Sequence, residues 1–257
     1  MIPYNTITAW GVTHPWVTRE QVEQDLLLSK AIIDIYTNET LSGDLIFRGG
    51  TALHKLIMPE PFRYSEDLDF VRTSAGGIGN ILDTLRVIGE QSGYTVKTQL
   101  AQYPKQFWHC KAQTNINLKI KIEINTYERT PALQLCEIPH AINTEWFMGN
   151  AKVRMFQNEE MAATKLRALY QRTKGRDLLD LWLLTNVVGI NSELVCHAFE
   201  TYRPEGFTAK KAILNLEKKL GDNLFLTDID NLITGSLGEY DVYLAAKQII
   251  DLYLANL

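Results

Sequence analysis

Between residues 19 and 36 the chain reads REQVEQDLLLSKAIIDIY, with apolar residues recurring at three- and four-residue spacing, which predicts an amphipathic helix over about 19–38. Thr18, followed three residues later by Gln21, has the form of a capping box at its start. LIFR at 45–48 is short, apolar and bounded by Gly43 and Gly49, so it reads as a strand entering a Gly-Gly turn. TALHKLI then begins a helix that MPEPF breaks. LDFVR at 68–72 reads as the next strand, and after SAGGIGN a helical pattern runs from Ile78 to about Gln91. The period then changes. YTVKTQL, QFWHCKAQT and LKIKIEINT alternate within 94–126, which predicts three successive strands, at least two of them antiparallel.

From about Asn158 the pattern is helical almost throughout: NEEMAATKLRALYQR, RDLLDLWLLTNVV, SELVCHAFETY, TAKKAILNLEKKL and YDVYLAAKQIIDLYLANL. The expected division is therefore a sheet-bearing catalytic domain over 1–155 and a helical domain over 156–257. No internal repeat and no low-complexity linker separates them.

Composition narrows the class. The 257 residues, 46% hydrophobic and 22% charged, are those of an ordinary globular protein. A net charge of −4 argues against indiscriminate coating of nucleic acid, which depends on Lys and Arg meeting phosphates, but leaves room for a local basic groove. No apolar run approaches the roughly 20 residues that cross a bilayer, and the first 18 residues lack a basic start followed by an apolar block, so the expectation is a cytoplasmic protein with no membrane partner. Cys110, Cys136 and Cys196 form no CxxC pair, which suggests neither a zinc site nor a disulfide framework.

The chemistry concentrates in FRGGTALHKLIMPEPFRYSEDLDFVR, residues 47–72. Residues two apart in a strand share a face, so Asp67 and Asp69 can converge on one site. Two carboxylates on one face repel unless a cation lies between them, and a hard, oxygen-seeking ion such as Mg²⁺ is the usual solution. In LKIKIEINT, Lys119, Lys121, Glu123 and Asn125 share the face opposite Ile120, Ile122 and Ile124, which makes Glu123 the natural third ligand. Such a trio suits two-metal phosphoryl chemistry. A D-x-D by itself is weak, since an isolated one is more often a solvated strand edge or turn. The Gly49-Gly50-Thr51 turn shares that ambiguity: glycine admits close approach of a phosphate to backbone N–H groups at a helix start, yet it also serves any tight strand-to-helix turn. The order strand, Gly-Gly, helix, D-x-D is the informative feature. Lys165, Arg167, Arg172, Lys174 and Arg176 then supply positive charge suited to phosphate, followed at once by Asp177 and Asp180; a solvated helix face with internal salt bridges is the alternative for these.

FRGGTAL, RYSEDLDF, KIE and KLRALYQRTKGRDLLDL, in that order, resemble the AbiEii/AbiGii toxin family, and ITAWGVTHPW with QVEQDLLLSKAI resembles a branch of it. The resemblance spans about residues 7–185. It implies an α+β, polymerase-beta-like nucleotidyltransferase fold, a mixed sheet with helices followed by a helical C-terminal domain. The first motif falls on Gly49, Gly50, Ser65, Asp67 and Asp69, the second on Lys121 and Glu123, and the third on Lys165, Arg172, Arg176, Asp177 and Asp180. The resemblance makes Asp67, Asp69 and Glu123 ligands of Mg²⁺ or Mn²⁺ and Lys165 a holder of the β- and γ-phosphates. Asp177 joins the catalytic set. Thr51, Ser65, Lys121, Arg172, Arg176 and Asp180 would help bind the nucleotide. A fourth motif has only a candidate, in Asp228 and Asp230.

The implied reaction transfers a nucleoside monophosphate from a nucleoside triphosphate to an acceptor, the 3′ end of transfer RNA in some relatives, and the implied partner is a cognate antitoxin. Phe107, Trp108, Tyr127 and Tyr170 lie near basic residues and are candidates for stacking on bases, or for the core. Transfer to a small molecule or protein, kinase-like phosphoryl transfer, and a catalytically silent partner-binding module remain as alternatives.

Overall fold

The computed structural model describes residues 2–233 and 237–257. The chain divides into two compact units, Met1–Thr130 with Leu135–Phe156, and Pro131–Gln134 with Gln157–Leu257.

The first unit opens with α1 (Tyr4–Thr13), α2 (Arg19–Tyr36) and α3 (Glu39–Asp44), then β1 (Leu45–Arg48) and α4 (Gly49–Ala52), which runs on as a π-helical turn over Leu53–Ile57. β2 (Asp67–Arg72), α5 (Gly79–Gln91), β3 (Thr95–Gln99), β4 (Lys105–Lys111), β5 (Asn117–Asn125), β6 (Cys136–Asn143) and β7 (Met148–Met155) follow. Among the described residues these seven strands form one mixed sheet in the order β3-β4-β5-β2-β1-β7-β6. β2 runs parallel to β5 and β1 parallel to β7; the other neighbours are antiparallel.

The capping box at Thr18 is formed in both directions: Thr18 Oγ1 accepts from the Gln21 N–H, and Gln21 Oε1 accepts from the Thr18 N–H. α2 lies on the sheet against β5, β6 and β7 and buries Leu26, Leu28, Ile32 and Ile35 completely. Each such side chain stabilises the fold by about 1.5–3 kcal/mol. The three strands expected in 94–126 are present, and the alternation in β5 does what it predicts, with Leu118, Ile120, Ile122 and Ile124 buried and the charged residues on the other face.

Other elements escape the pattern. The hairpin β6–β7 contains Pro139, which ordinarily argues against a strand; β6 is the terminal strand of the sheet, where a missing N–H is tolerated. α1 and α3 are short and both carry a glycine, and α1 also carries several β-branched residues, which weakens the helical signal.

The helical unit contains α6 (Asn158–Gln171), α7 (Gly175–Leu183), α8 (Ser192–Tyr202), α9 (Ala209–Lys219), α10 (Asn223–Leu226) and α11 (Val242–Leu252). Asn191, Thr208 and Asp241 cap α8, α9 and α11 with their side chains. Its core holds Leu166, Leu178, Leu181 and Phe199. The fully buried Glu160 accepts from the N–H groups of Ala132 and Leu133 and from the Tyr202 hydroxyl, which joins the segment Pro131–Gln134 to this unit.

Candidate active site

β1 ends at Arg48, and the next residue must turn the chain at once into α4. Gly49 does so with φ 84°, a conformation that costs any other L-residue roughly 1–2 kcal/mol. A Cβ at Gly49 would stand 2.7 Å from Asp69 Oδ2, and one at Gly50 would stand 2.6 Å from Arg63 Nη2 and 3.0 Å from Ser65 Oγ. The glycine pair is therefore fitted against the carboxylate strand. Ser65 is held beside Thr51 by a 2.9 Å hydroxyl–hydroxyl bond.

The parallel pairing of β2 and β5 sets Asp67 opposite Lys121 and Asp69 opposite Glu123, so both carboxylate strands present their charges to one face. Lys121 Nζ lies 2.7 Å from Asp67 and 3.7 Å from Glu123, and Lys105 Nζ lies 3.0 Å from Glu123. Among the described residues no group of three His, Cys, Asp or Glu side chains is placed closely enough to hold a metal ion.

The half-buried Asp69 has its pKa raised above the ordinary carboxylate value, first by loss of water and then by the charge of Asp67, against the pull of Arg48 and Lys121. Loss of water would lower the pKa of Lys121, but its hydrogen bond to Asp67 and the charges of Asp67, Asp69 and Glu123 outweigh it and raise it. Acidic charge here is thus only partly offset. The donor set of Asp67, Asp69 and Glu123 is all oxygen, the chemistry a hard divalent cation takes, with Lys121 and Lys105 paired to two of the three carboxylates.

Within the helical unit, residues of the third block form an ion cluster around Asp177 and Asp180. Lys165, 8% exposed in its side chain, lies 2.7 Å from Asp180 and 3.2 Å from Asp177, both fully buried. Arg172 donates from Nε and Nη2 to the two oxygens of Asp177 at 2.7 and 2.8 Å. Burial would raise the pKa of Asp177, yet Lys165 and Arg172 together hold it below the ordinary value. Arg176 turns instead to Asp228, which also receives Lys174 at 3.2 Å. Asp228 is thereby part of an ion network, whereas Asp230 is exposed.

Of the aromatic candidates, Trp108 belongs to the core: it is fully buried and donates to Gln106 Oε1, because its alternating position on β4 faces away from the charged residues. Phe107 is half-exposed with Lys119 Nζ 5.5 Å above its ring. Tyr127 is exposed and Tyr170 packs edge-on to Phe207.

The sequence reading left one constellation unassigned. Trp10 and His14 of the ITAWGVTHPW stretch stack at 4.1 Å, and Trp10 Nε1 donates to the buried Asp25, which also pairs with Lys55 at 2.7 Å. They line a cavity of about 440 Å³ that reaches Ser65. A Trp and a His four apart, with a lone Asp and Lys in two distant helical turns, give no periodic signal.

The family model of the nucleotidyl transferase AbiEii toxin, type IV toxin–antitoxin system, matches residues 33–249. Among solved structures, the chain is similar to MenT4, a nucleotidyltransferase toxin from Mycobacterium tuberculosis, with a TM-score of 0.64 at 16% identity over 100% of this chain and 91% of that one. An antigenic nucleotidyltransferase-like protein from Paracoccidioides brasiliensis is more distant, with a TM-score of 0.48 at 18% identity, covering 85% of this chain and 97% of that one. No curated protein matches the sequence significantly. Among the described residues no helix is long and apolar enough to cross a membrane.

Proposed function

Since the chain belongs to the AbiEii nucleotidyl transferase toxin family, we propose that it transfers a nucleoside monophosphate from a triphosphate to the 3′ end of an RNA, transfer RNA foremost, at the face carried by β1, β2 and β5. The observation that carries this reading is the register: Asp69 pairs with Arg48 on one side and Glu123 on the other, directly beside a glycine that has no room for a side chain.

In the reaction the acceptor hydroxyl oxygen bonds to the α-phosphorus, and the bond from that phosphorus to the α–β bridging oxygen breaks. Pyrophosphate leaves. The hydroxyl proton passes to a neighbouring carboxylate or to water. Gly49 and Gly50 allow the triphosphate to approach the backbone, and Ser65, fixed by Thr51, offers a hydroxyl to it. Lys121 lies 2.7 Å from Asp67 and 3.7 Å from Glu123 and offsets part of their charge.

Asp67, Asp69 and Glu123 would hold Mg²⁺ or Mn²⁺, which when bound offsets triphosphate charge and acidifies the acceptor hydroxyl. The family's third block assigns Lys165, Arg172, Arg176, Asp177 and Asp180 to the nucleotide, with Asp177 and Asp180 keeping Lys165 in place. A cognate antitoxin is the expected protein partner.

Parallel reactions with α- and γ-labelled triphosphates and total transfer RNA test the reaction class. Label retained from the α-phosphate only supports nucleotidyl transfer. Label from the γ-phosphate makes the protein a kinase. Triphosphate binding without labelled RNA moves the acceptor to a small molecule or protein, and no triphosphate binding at all leaves a silent binding module.

A further inference from the structure

The carboxylates of β2 and β5 are not at the end of their sheet. Beyond β5 lie β4 and β3, whose registers continue the same rows: Asp67, Lys121, Phe107 and Lys97 stand in line across four strands, and Asp69, Glu123, Lys105 and Gln99 form the next row. On the other side of the first row Lys119 pairs with His109. Cross-strand partners and residues two apart share a face, so all of these project to the side opposite Trp108, Ile120 and Ile122.

The character of the face changes along the first row. It is acidic at Asp67 and basic and aromatic toward β3, where Lys97 and Lys119 are exposed and, among the described residues, pair with no carboxylate. The half-exposed Phe107 lies between them, with the Lys119 ammonium 5.5 Å from its centroid and the His109 ring 6.4 Å away. At about 4.8 Å per strand, the run from β2 to β3 spans about 14 Å. Two unpaired lysines flanking an accessible ring form a platform for a single strand: the ring stacks on a base, and the ammonium groups meet phosphates. The chain as a whole carries a net charge of −4, so this basic patch stands against an acidic background.

We propose that the face of β3, β4 and β5 carries the single-stranded end of the nucleic-acid acceptor toward Asp67 and Asp69, with a base stacked on Phe107 and backbone phosphates paired with Lys97 and Lys119. This rests on the transferase reading and adds where the acceptor runs. The three residues are positioning residues, remote from the reacting phosphorus.

The test measures binding of a short single-stranded RNA to the full chain at several salt concentrations, together with transfer to that RNA, in wild type, Lys97→Gln/Lys119→Gln and Phe107→Leu. Each lost phosphate contact lowers the slope of log affinity against log salt by about 0.7, so the double variant is expected to lose about 1.4. Phe107→Leu, which keeps an apolar filler, should weaken binding about tenfold with the salt slope unchanged. Both should raise the KM for RNA and leave the KM for the triphosphate unchanged, with melting temperatures near wild type because the lysines are exposed. If wild type modifies RNA but the variants keep its slope and affinity, the path across β3–β5 is wrong and the transferase reading stands. If wild type binds triphosphate but neither binds nor modifies RNA, the path across β3–β5 is wrong and the acceptor is a small molecule or protein; if it binds no triphosphate, the transferase reading falls as well.

Discussion

Replacing Asp177 by Asn keeps the side-chain shape and removes the charge at the centre of the helical unit's ion cluster. The carboxylate is fully buried and receives three donors: Lys165 at 3.2 Å, and Arg172 twice, at 2.7 and 2.8 Å. Removing one partner of a buried pair costs about 3–5 kcal/mol, because the other charge stays behind. Two features reduce that here: Lys165 keeps Asp180 at 2.7 Å, and Arg172 is 52% exposed, so water can take over its hydration. About 2–3 kcal/mol is therefore expected, which lowers the melting temperature by about 5–10 °C in a protein of this size.

The pH dependence adds a second readout. The pKa of Asp177 is depressed in the folded state, so its contribution is complete above the ordinary Asp value near 3.9 and is lost as pH falls through the lower folded value. The gap between wild type and variant should stay constant from pH 7 to about 5 and close below about pH 4. Thermal melts of both proteins across that range measure it. A variant within about 2 °C of wild type at pH 7, or a gap that widens in acid, would refute the reasoning.

Asp69→Asn should abolish transfer and melt at or above the wild-type temperature at neutral pH. A carboxyl whose folded pKa is raised destabilises the fold once ionised, so this gain should disappear on acidification to the ordinary carboxylate range; melts at pH 7 and 4 check it. Gly49→Ala should cost about 1–2 kcal/mol from its φ of 84° and reduce transfer at least tenfold by pressing on Asp69, measured by urea unfolding and initial rates. Lys55→Met should destabilise by about 3–5 kcal/mol because it strands the buried Asp25. Urea unfolding of the double variant Asp25→Asn/Lys55→Met should show much of that loss restored.

What the sequence made legible follows from where periodicity and chemistry coincide. α2 and β5 carry clean 3.6- and 2-residue patterns with one buried face, and both stand where the pattern puts them. Asp67, Asp69 and Glu123 share a face because the period of a strand is 2; that Asp69 lies directly opposite Glu123 needed the register, which no local pattern encodes. The β6–β7 hairpin was hidden by Pro139, harmless only because β6 is terminal in the sheet. Basic residues of the third block looked alike in sequence, yet burial separates them: Lys165 and Arg172 meet Asp177, while Lys174 and Arg176 meet Asp228, fifty-odd residues away. The pairing of Lys55 with Asp25 and the bond from Trp10 Nε1 to Asp25 depend on how α1, α2 and the turn after α4 pack, and short-range patterns carry no trace of it.

The account stands or falls on the carboxylates of β2. The most direct measurement is the transfer of label from each of the four α-³²P nucleoside triphosphates to total transfer RNA with Mg²⁺, by wild type, Asp67→Ala and Asp69→Ala, each shown by its melt to be folded. The prediction is labelled RNA with wild type, for at least one nucleotide, and none with either variant. Label that persists in a folded Asp67→Ala or Asp69→Ala protein would contradict it.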